Sequence, residues 1–336
     1  MGDITIKELA QKLNVSIATI SKALNDSHEI SAATKEKVLA GVRKYNYTPN
    51  PNASSLRKKR SNTIAIVIPE VADSFFSQAL KGIESIAQNL GYHVLIYLTY
   101  ESFYKERLIL NDIKNGRVDG VLMSISSETS NSLHIKALRD RNIPIVFFDR
   151  VMEETETAKV VTDDYQSSYK ATQHLLERGC QHIAYLSTSK HLMISNERKD
   201  GYLQALKEHH IKASKHTVVQ CSNHAEYNFT VLQKLLQQED RPDGIIASIE
   251  RLTSTIYLVC KELGIAIPGQ LKVITFSNLD TAPILSPSLT TVSQPAFEMG
   301  RTAASILFKA LQKKKLNIKN EKIVIPSVLV KRESTN

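Results

Sequence analysis

Apolar positions along the first fifty residues repeat with the period of short helices, and beyond residue 60 they gather into the short unbroken runs of buried strands. Ile6, Leu9, Ala10 and Leu13 fall at i, i+3, i+4 and i+7, one stripe of a helix, with Thr5 where an N-cap would stand. Asn14-Val15-Ser16 breaks the period. Asparagine tolerates the left-handed backbone of a tight turn, and Ser16 is placed to cap a second helix from Ile17 to Leu24. In that helix Ile20, Ala23 and Leu24 form the inward face, which leaves Ile17, Ala18, Ser21 and Lys22 outward. A third helix is expected after Ser31, with Val38, Val42 and Tyr45 along one side. Two short helices around a three-residue turn, braced by a third, form the pattern of a helix-turn-helix; the spacing equally suits a small helical domain with a solvated polar face.

Strand-like runs then follow at Ile64–Ile68, Val94–Leu98, Val118–Met123 and Pro144–Phe148, separated by helical stretches such as Gln78–Leu90, which Gly91 closes. A second series comprises Ile183–Leu186, Thr217–Val219, Gly244–Ala247 and Leu271–Phe276. Strands with so little alternation are buried on both faces, which predicts doubly wound α/β lobes with parallel sheets. Two such lobes are expected, and ligands in such sheets sit at the carboxyl ends of the strands.

Composition sharpens this division. The 336 residues exceed one small core, so two or three domains are expected. The net charge of +9 is unevenly placed: residues 1–60 carry 11 Lys+Arg against 5 Asp+Glu, a net +6. The rest carries 32 against 29, only +3. A basic head on a near-neutral body implies a polyanion partner for the head alone. The three cysteines, Cys180, Cys221 and Cys260, make a poor disulfide framework and fit a reducing cytoplasm. Met1-Gly2-Asp3-Ile4 opens no basic-then-apolar leader, and no apolar run is long enough for a membrane span, so a cytoplasmic protein is expected.

The candidate chemistry is that of DNA reading. Ile17 and Ala18, at the start of the second helix, suit contact with a thymine methyl, and Lys22 can reach guanine O6 and N7. Thr5, Thr19, Ser21, Asn25 and Ser31 are short polar groups suited to phosphate, and Ser16, at the cap, joins the DNA-binding set. In residues 50–60, Asn50 can cap, Pro51 fits the first helical position, Ala53 and Leu56 share a face, and Arg57 to Arg60 are all cationic. That stretch falls short of the ~12–15 residues an isolated helix needs, so on spacing alone it is a basic linker or a helix formed only on binding. No Gly-rich phosphate loop, G-x-S-x-G elbow or H-E-x-x-H occurs, so no enzyme, cofactor or metal is expected. Cys180-Gln181-His182 and His209-His210 stand alone.

Thr5-Ile6-Lys7-Glu8-Leu9-Ala10, Val15 through Asn25, Ile30-Ser31, Thr34-Lys35 and Tyr45 through Asn50 together resemble the headpiece of the lactose/galactose repressor (LacI/GalR) family. Pro69–Phe76, Val118-Asp119-Gly120, Pro144–Arg150, Arg198–Tyr202 and Leu289–Gly300 extend the resemblance over the whole body. It implies an all-α helix-turn-helix headpiece at 1–49, a hinge at 50–60, and a two-lobed periplasmic-binding-protein-like body. Lobe 1 would be 61–161 plus 293–322, and lobe 2 would be 162–292 plus 323–336, with crossings near Thr162, near Val292 and near 320–325. It further implies a homodimer on near-palindromic double-stranded DNA, with paired hinge helices placing Ala53 and Leu56 in the minor groove. Asn50 and Arg57 join the DNA contacts. No leucine-heptad tail follows residue 330, so no tetramerising coiled coil is expected. The implied activity is transcriptional regulation, mainly repression, controlled by a small carbohydrate-like effector between the lobes, with Phe75, Phe76, Asp149, Arg198, Ser277 and Gln294 in the cleft. The other reading of such a body is a solute-binding protein or sensor that regulates no DNA; it would carry an export signal and lack the basic head. Several positions depart from the family pattern: Asn14 for a turn glycine, Lys22 for arginine, Ser54 for arginine, Ser277 for aspartate and Ile249-Glu250 for Asn-Asp.

Overall fold

The computed structural model describes residues 4–48, 61–115, 118–211, 217–313, 318 and 320–336. The chain divides into two compact units between Ser61 and Asn62. The expected hinge contacts of Asn50, Ala53, Leu56 and Arg57 lie outside the described residues.

In the first unit, helices α1 (Ile6–Leu13), α2 (Ile17–Leu24) and α3 (Ala32–Lys44) enclose a core of Leu9, Ala10, Ile20, Ala23, Val38 and Tyr47. Each helix starts at a hydroxyl cap: Thr5, Ser16 and Ser31 accept from the amides of Glu8, Thr19 and Thr34. At Thr5 the cap is reciprocal, because the Glu8 carboxylate accepts from the Thr5 amide at 2.8 Å. The α1–α2 turn passes through Asn14 at φ 46°, the left-handed conformation that the sequence assigns to it.

The second unit begins with β1 (Thr63–Ile68), α4 (Ser74–Asn89), β2 (His93–Leu98), α5 (Phe103–Ile113), β3 (Gly120–Met123), α6 (Leu133–Arg139), β4 (Ile145–Phe148) and β5 (Lys159–Val161). The chain then crosses to a second lobe. There it forms α7 (Asp164–Glu177), β6 (Ile183–Ser187), α8 (Met193–Glu208), β7 (Val218–Gln220), α9 (Ala225–Leu236), β8 (Gly244–Ala247), α10 (Leu252–Leu263), β9 (Lys272–Phe276) and β10 (Thr290–Ser293). It returns to the first lobe as α11 (Ala296–Lys313) and β11 (Lys322–Val324), then crosses once more to β12 (Val328–Val330). The strand orders are β11-β5-β4-β3-β1-β2 and β12-β10-β9-β8-β6-β7.

Two expectations need correction. The expected lobe break after residue 322 falls inside β11, whose ladder with β5 runs on to the pair Val324↔Val161; the break after 292 likewise falls inside β10, where Ser293 still pairs with Val328. Nor are the sheets wholly parallel. β12 runs antiparallel to β10 because the chain leaves the carboxyl end of β11 and, after only three residues, enters the second sheet from the same carboxyl-end side. All three crossings therefore gather where the carboxyl ends of both sheets face each other.

Each lobe is tightened by a helix pair in backbone contact. A Cβ on Gly300 of α11 would lie 2.1 Å from the Ala79 carbonyl oxygen of α4, and a Cβ on Gly201 of α8 would lie 2.1 Å from that of Tyr165 in α7. Only glycine permits such an approach.

Candidate functional site

The head presents an apolar spot to solvent at the start of α2. Ile17 is 45% exposed and Ala18 is also exposed, although α2 buries Ile20 and Ala23. An aliphatic side chain left in water at a helix N-terminus is what a thymine-methyl contact requires. Of the polar residues singled out in the sequence, Thr5, Ser16 and Ser31 are exposed caps, so their hydroxyls also fix where each helix begins. Thr19 is half-buried and its hydroxyl bonds the Ser16 hydroxyl at 2.8 Å. Ser21 is half-buried, and Asn25 donates its side-chain amide to the Ser21 carbonyl at 2.6 Å. Lys22 is half-buried and paired with Glu29, a partner one loop beyond α2.

In the body, the carboxyl ends of the strands enclose a cleft lined by residues of both lobes, among them Asp73, Phe75, Phe76, Asp149, Arg198 and Glu250. Ser277 and Gln294 line it too, so all six positions proposed from the resemblance meet there. Phe75 and Phe76 form the first turn of α4 and are both buried, edge to face at 5.3 Å. Phe76 also packs on Phe148 at 6.5 Å and lies under the Arg150 guanidinium, which ties it to the core as well as to the cavity. Asp149 follows β4 in a left-handed conformation, φ 62°, which turns its carboxylate toward Ser124 at 3.3 Å. Burial pushes the Asp149 carboxyl up to about 6, against the pull of Arg150 and Arg198. Arg150 lines the cleft as well, and its Nη1 donates to both Glu101 carboxylate oxygens, at 2.8 and 2.9 Å. Burial works against charge on Glu101, yet Arg150 keeps its carboxyl below the ordinary value.

Arg198, on α8, is 4% exposed. Its Nε donates to Asp164 at 2.7 Å, its Nη1 to the Ser248 carbonyl at 2.6 Å, and its plane stacks on Phe276 at 4.0 Å. Only Nη2 is left without a partner among the described residues. Two of the three guanidinium nitrogens are therefore engaged inside the second lobe, and Nη2 remains for a ligand. Ser277 donates to Glu250 at 2.7 Å, and Gln294 reaches Thr162 at the first crossing at 3.5 Å.

Sequence reasoning did not assign Asp73, Arg150, Phe276, Asn278 or Glu250 to the cleft. Asp73 lay within the Pro69–Phe76 signature, where its place as N-cap of α4 could have flagged it. Burial and then Glu250 push its carboxyl up to about 6. Glu250 stood out only as a departure from the family pattern, and its partners are too remote in sequence for spacing to reveal them.

Comparison with known proteins agrees with both halves. Residues 5–50 match the bacterial regulatory proteins of the lacI family, and residues 172–335 match the periplasmic binding protein-like domain. A ribose operon repressor from Halalkalibacterium halodurans is 32% identical over 98% of this chain and 97% of its own length. The transcriptional regulator DegA of Bacillus subtilis is 31% identical over 99% of this chain and 98% of its own. Among solved structures, the lac repressor dimer bound to operator and the anti-inducer ONPF superposes with a TM-score of 0.86 at 22% identity, covering 99% of both chains, which speaks for the fold. A LacI family regulator from Enterococcus faecium with bound ribose gives a TM-score of 0.73 at 26% identity, covering 81% of this chain and 98% of that one. Near full-length identity above three in ten to a repressor, on a helix-turn-helix head and a two-lobed body, makes this chain a member of the LacI family of bacterial transcriptional regulators.

Proposed function

We propose that the chain acts in the cytoplasm as a homodimeric repressor that reads a near-palindromic operator and answers to a carbohydrate-like effector held between its body lobes. Ile17, Ala18 and Lys22 read base edges, and Thr5, Ser16, Thr19, Ser21, Asn25 and Ser31 position the head on phosphates. The hinge residues Asn50, Ala53, Leu56 and Arg57 complete the contact, with Leu56 as a minor-groove wedge. A ribose operon repressor among the relatives and a ribose-bound structure among the neighbours favour a pentose or a close derivative.

The observation that carries the effector reading is the pairing of one spare donor nitrogen with several acceptors in one buried cleft. Arg198 Nη2 is unpartnered there, and the Asp149 and Asp73 carboxylates line the same space. Both Asp73 and Asp149 are pushed up to about 6, so the cleft already disfavours added negative charge. A neutral polyol supplies hydroxyl donors to the carboxylates and an acceptor to the arginine; an anion would meet the carboxylates at close range.

Gel retardation of a palindromic duplex, with and without D-ribose and related neutral sugars, tests the whole scheme. Retardation of that duplex over a random one, changed by at least one neutral sugar, is the expected result. Equal retardation of both duplexes would reject the operator reading. A response to sugar phosphates alone would reject the neutral-polyol reading. Leu56→Ala should weaken operator binding much more than random-duplex binding, since a wedge contributes only where the duplex is bent around it.

A further inference from the structure

The cleft is closed. Its cavity is about 40 Å³, room for about three ordered waters and for no ring-sized molecule. Leu192 and Ile194, from the start of α8 in the second lobe, are buried among Val151, Met152 and Val161 of the first. One side chain joins the polar parts of both lobes. The Glu250 carboxylate accepts the Ser74 amide at 3.0 Å and the Ser74 hydroxyl, both on the first turn of α4 in the first lobe. It also accepts the Ser277 hydroxyl at 2.7 Å and the Asn278 amide at 3.0 Å, both in the second. Next to it Arg251 pairs with Glu70 at 2.6 Å, and Gln78 and Asn278 exchange amide bonds at 3.1 Å, again from lobe to lobe.

We propose that the Glu250 carboxylate is a resident ligand of the cleft, which ties the two lobes shut before any effector enters. The geometry explains why. Four donors converge on one carboxylate, two from each lobe, which is the arrangement that a bound small molecule would otherwise provide. Charge-assisted bonds of this kind are the strong ones. A carboxylate at the first turn of α4 is also favoured by the free amides there. Ser277 does not compete for ligand hydroxyls; it donates to Glu250. Parting the lobes breaks the two Ser74 bonds, so an effector has to replace what they contribute. Removing the tie shifts the lobe equilibrium without touching the head.

The idea rests on the cleft being the effector site, but its test needs neither effector nor DNA. Two variants cut the tie from opposite sides. Glu250→Ala removes the acceptor. Ser74→Pro removes both first-lobe donors and leaves Glu250 intact; position 74 is the first residue of α4, where proline is tolerated, and Asp73 before it has the extended backbone (φ −74°, ψ 128°) that a following proline requires. The full chain without small molecules is measured by X-ray scattering and by amide hydrogen exchange over residues 188–195, the segment whose Leu192 and Ile194 enter the first lobe. Both variants are expected to show a larger radius of gyration and exchange in that segment about tenfold faster or more. Should Ser74→Pro fail to fold, as judged by circular dichroism, Glu250→Ala alone decides. Variants with the scattering and exchange of the parent would overturn the proposal. So would a parent chain already as open as they are. Failure of the gel-retardation test alone would reject the regulatory scheme and leave the tie standing.

Discussion

At Arg198 one side chain divides its work between structure and ligand. The guanidinium is nearly fully buried, and its bond to Asp164 is internal to the second lobe. Arg198→Ala would leave the Asp164 carboxylate buried without its cation, an uncompensated charge that costs about 3–5 kcal/mol. The expected outcome is therefore double: loss of the effector response, and a denaturation midpoint lowered to match that cost. Unchanged stability would show that Asp164 finds another partner. Arg198→Lys keeps the charge but not the planar fork, and should retain more stability than response. Lys22 poses the converse case, since its ammonium is already paired with Glu29. Reaching a guanine means giving up that pair. Glu29→Gln is expected to strengthen duplex binding severalfold, through one fewer competitor and one fewer negative charge near phosphate; gel retardation at fixed salt reads this directly.

Among elements, the helices of the head were legible from the sequence because each carries a complete local code: a hydroxyl cap, a 3.6-residue apolar period and a stop. Most strands of both sheets, the edges β2 and β7 included, were legible from their apolar runs for a similar reason. The edge strands β11 and β12 were not. β11 and β12 are three residues each, and nothing local marks where the chain changes sheet or that β12 runs backwards. The close helix pairs were visible only as glycines inside signature stretches; their reason is the backbone contact across α4 and α11 and across α7 and α8. Gly300→Ala places a methyl where the Ala79 carbonyl stands and must push the helices apart, at about 1–3 kcal/mol or more. A drop in melting temperature with operator specificity retained is expected, because the head is a separate unit. Gly179, whose Cβ would meet nothing within 4 Å, has no such neighbour to displace and serves as the comparison site, although its φ of +87° brings a backbone strain of its own.

For the molecule as a whole, the cleft gathers acids as well as the arginine that the sequence singled out. Glu250 was unreadable beforehand because its partners at 74 and 277 belong to different lobes, 176 and 27 residues away. The acidity has a pH signature. Asp73 and Asp149 each hold their proton more tightly folded, at about 6, than at the ordinary 3.8. The folded body then binds more protons than the unfolded chain between those values, so the contribution of these groups to stability is present below about pH 4 and is lost as pH rises through about 6. Glu250, Glu70 and Arg150 face Asp73, and Arg150, Arg198 and Asp164 face Asp149, so the two carboxyls titrate in one field. Asp149→Asn should flatten this part of the profile, which melting curves at about pH 4.5, 5.5 and 6.5 would reveal; a parallel pair of profiles would show that Asp149 does not titrate in this range.

The path of the backbone between the sheets sets how this protein can be cut. Because α11 and β11 go back to the first lobe and β12 returns to the second, neither half corresponds to one continuous stretch of gene. An expressed fragment ending near residue 161 would lack the strand that flanks β5, and one starting near residue 162 would carry α11 with no sheet beneath it. A protease nick in any single link would leave the pieces interleaved and copurifying. The last residues are equally committed, since the Ser334 hydroxyl donates to the Val273 carbonyl at 2.6 Å and Thr335 bonds His174 at 3.0 Å. Removing residues 327–336 would therefore strip an edge strand and a buried clasp from the second lobe.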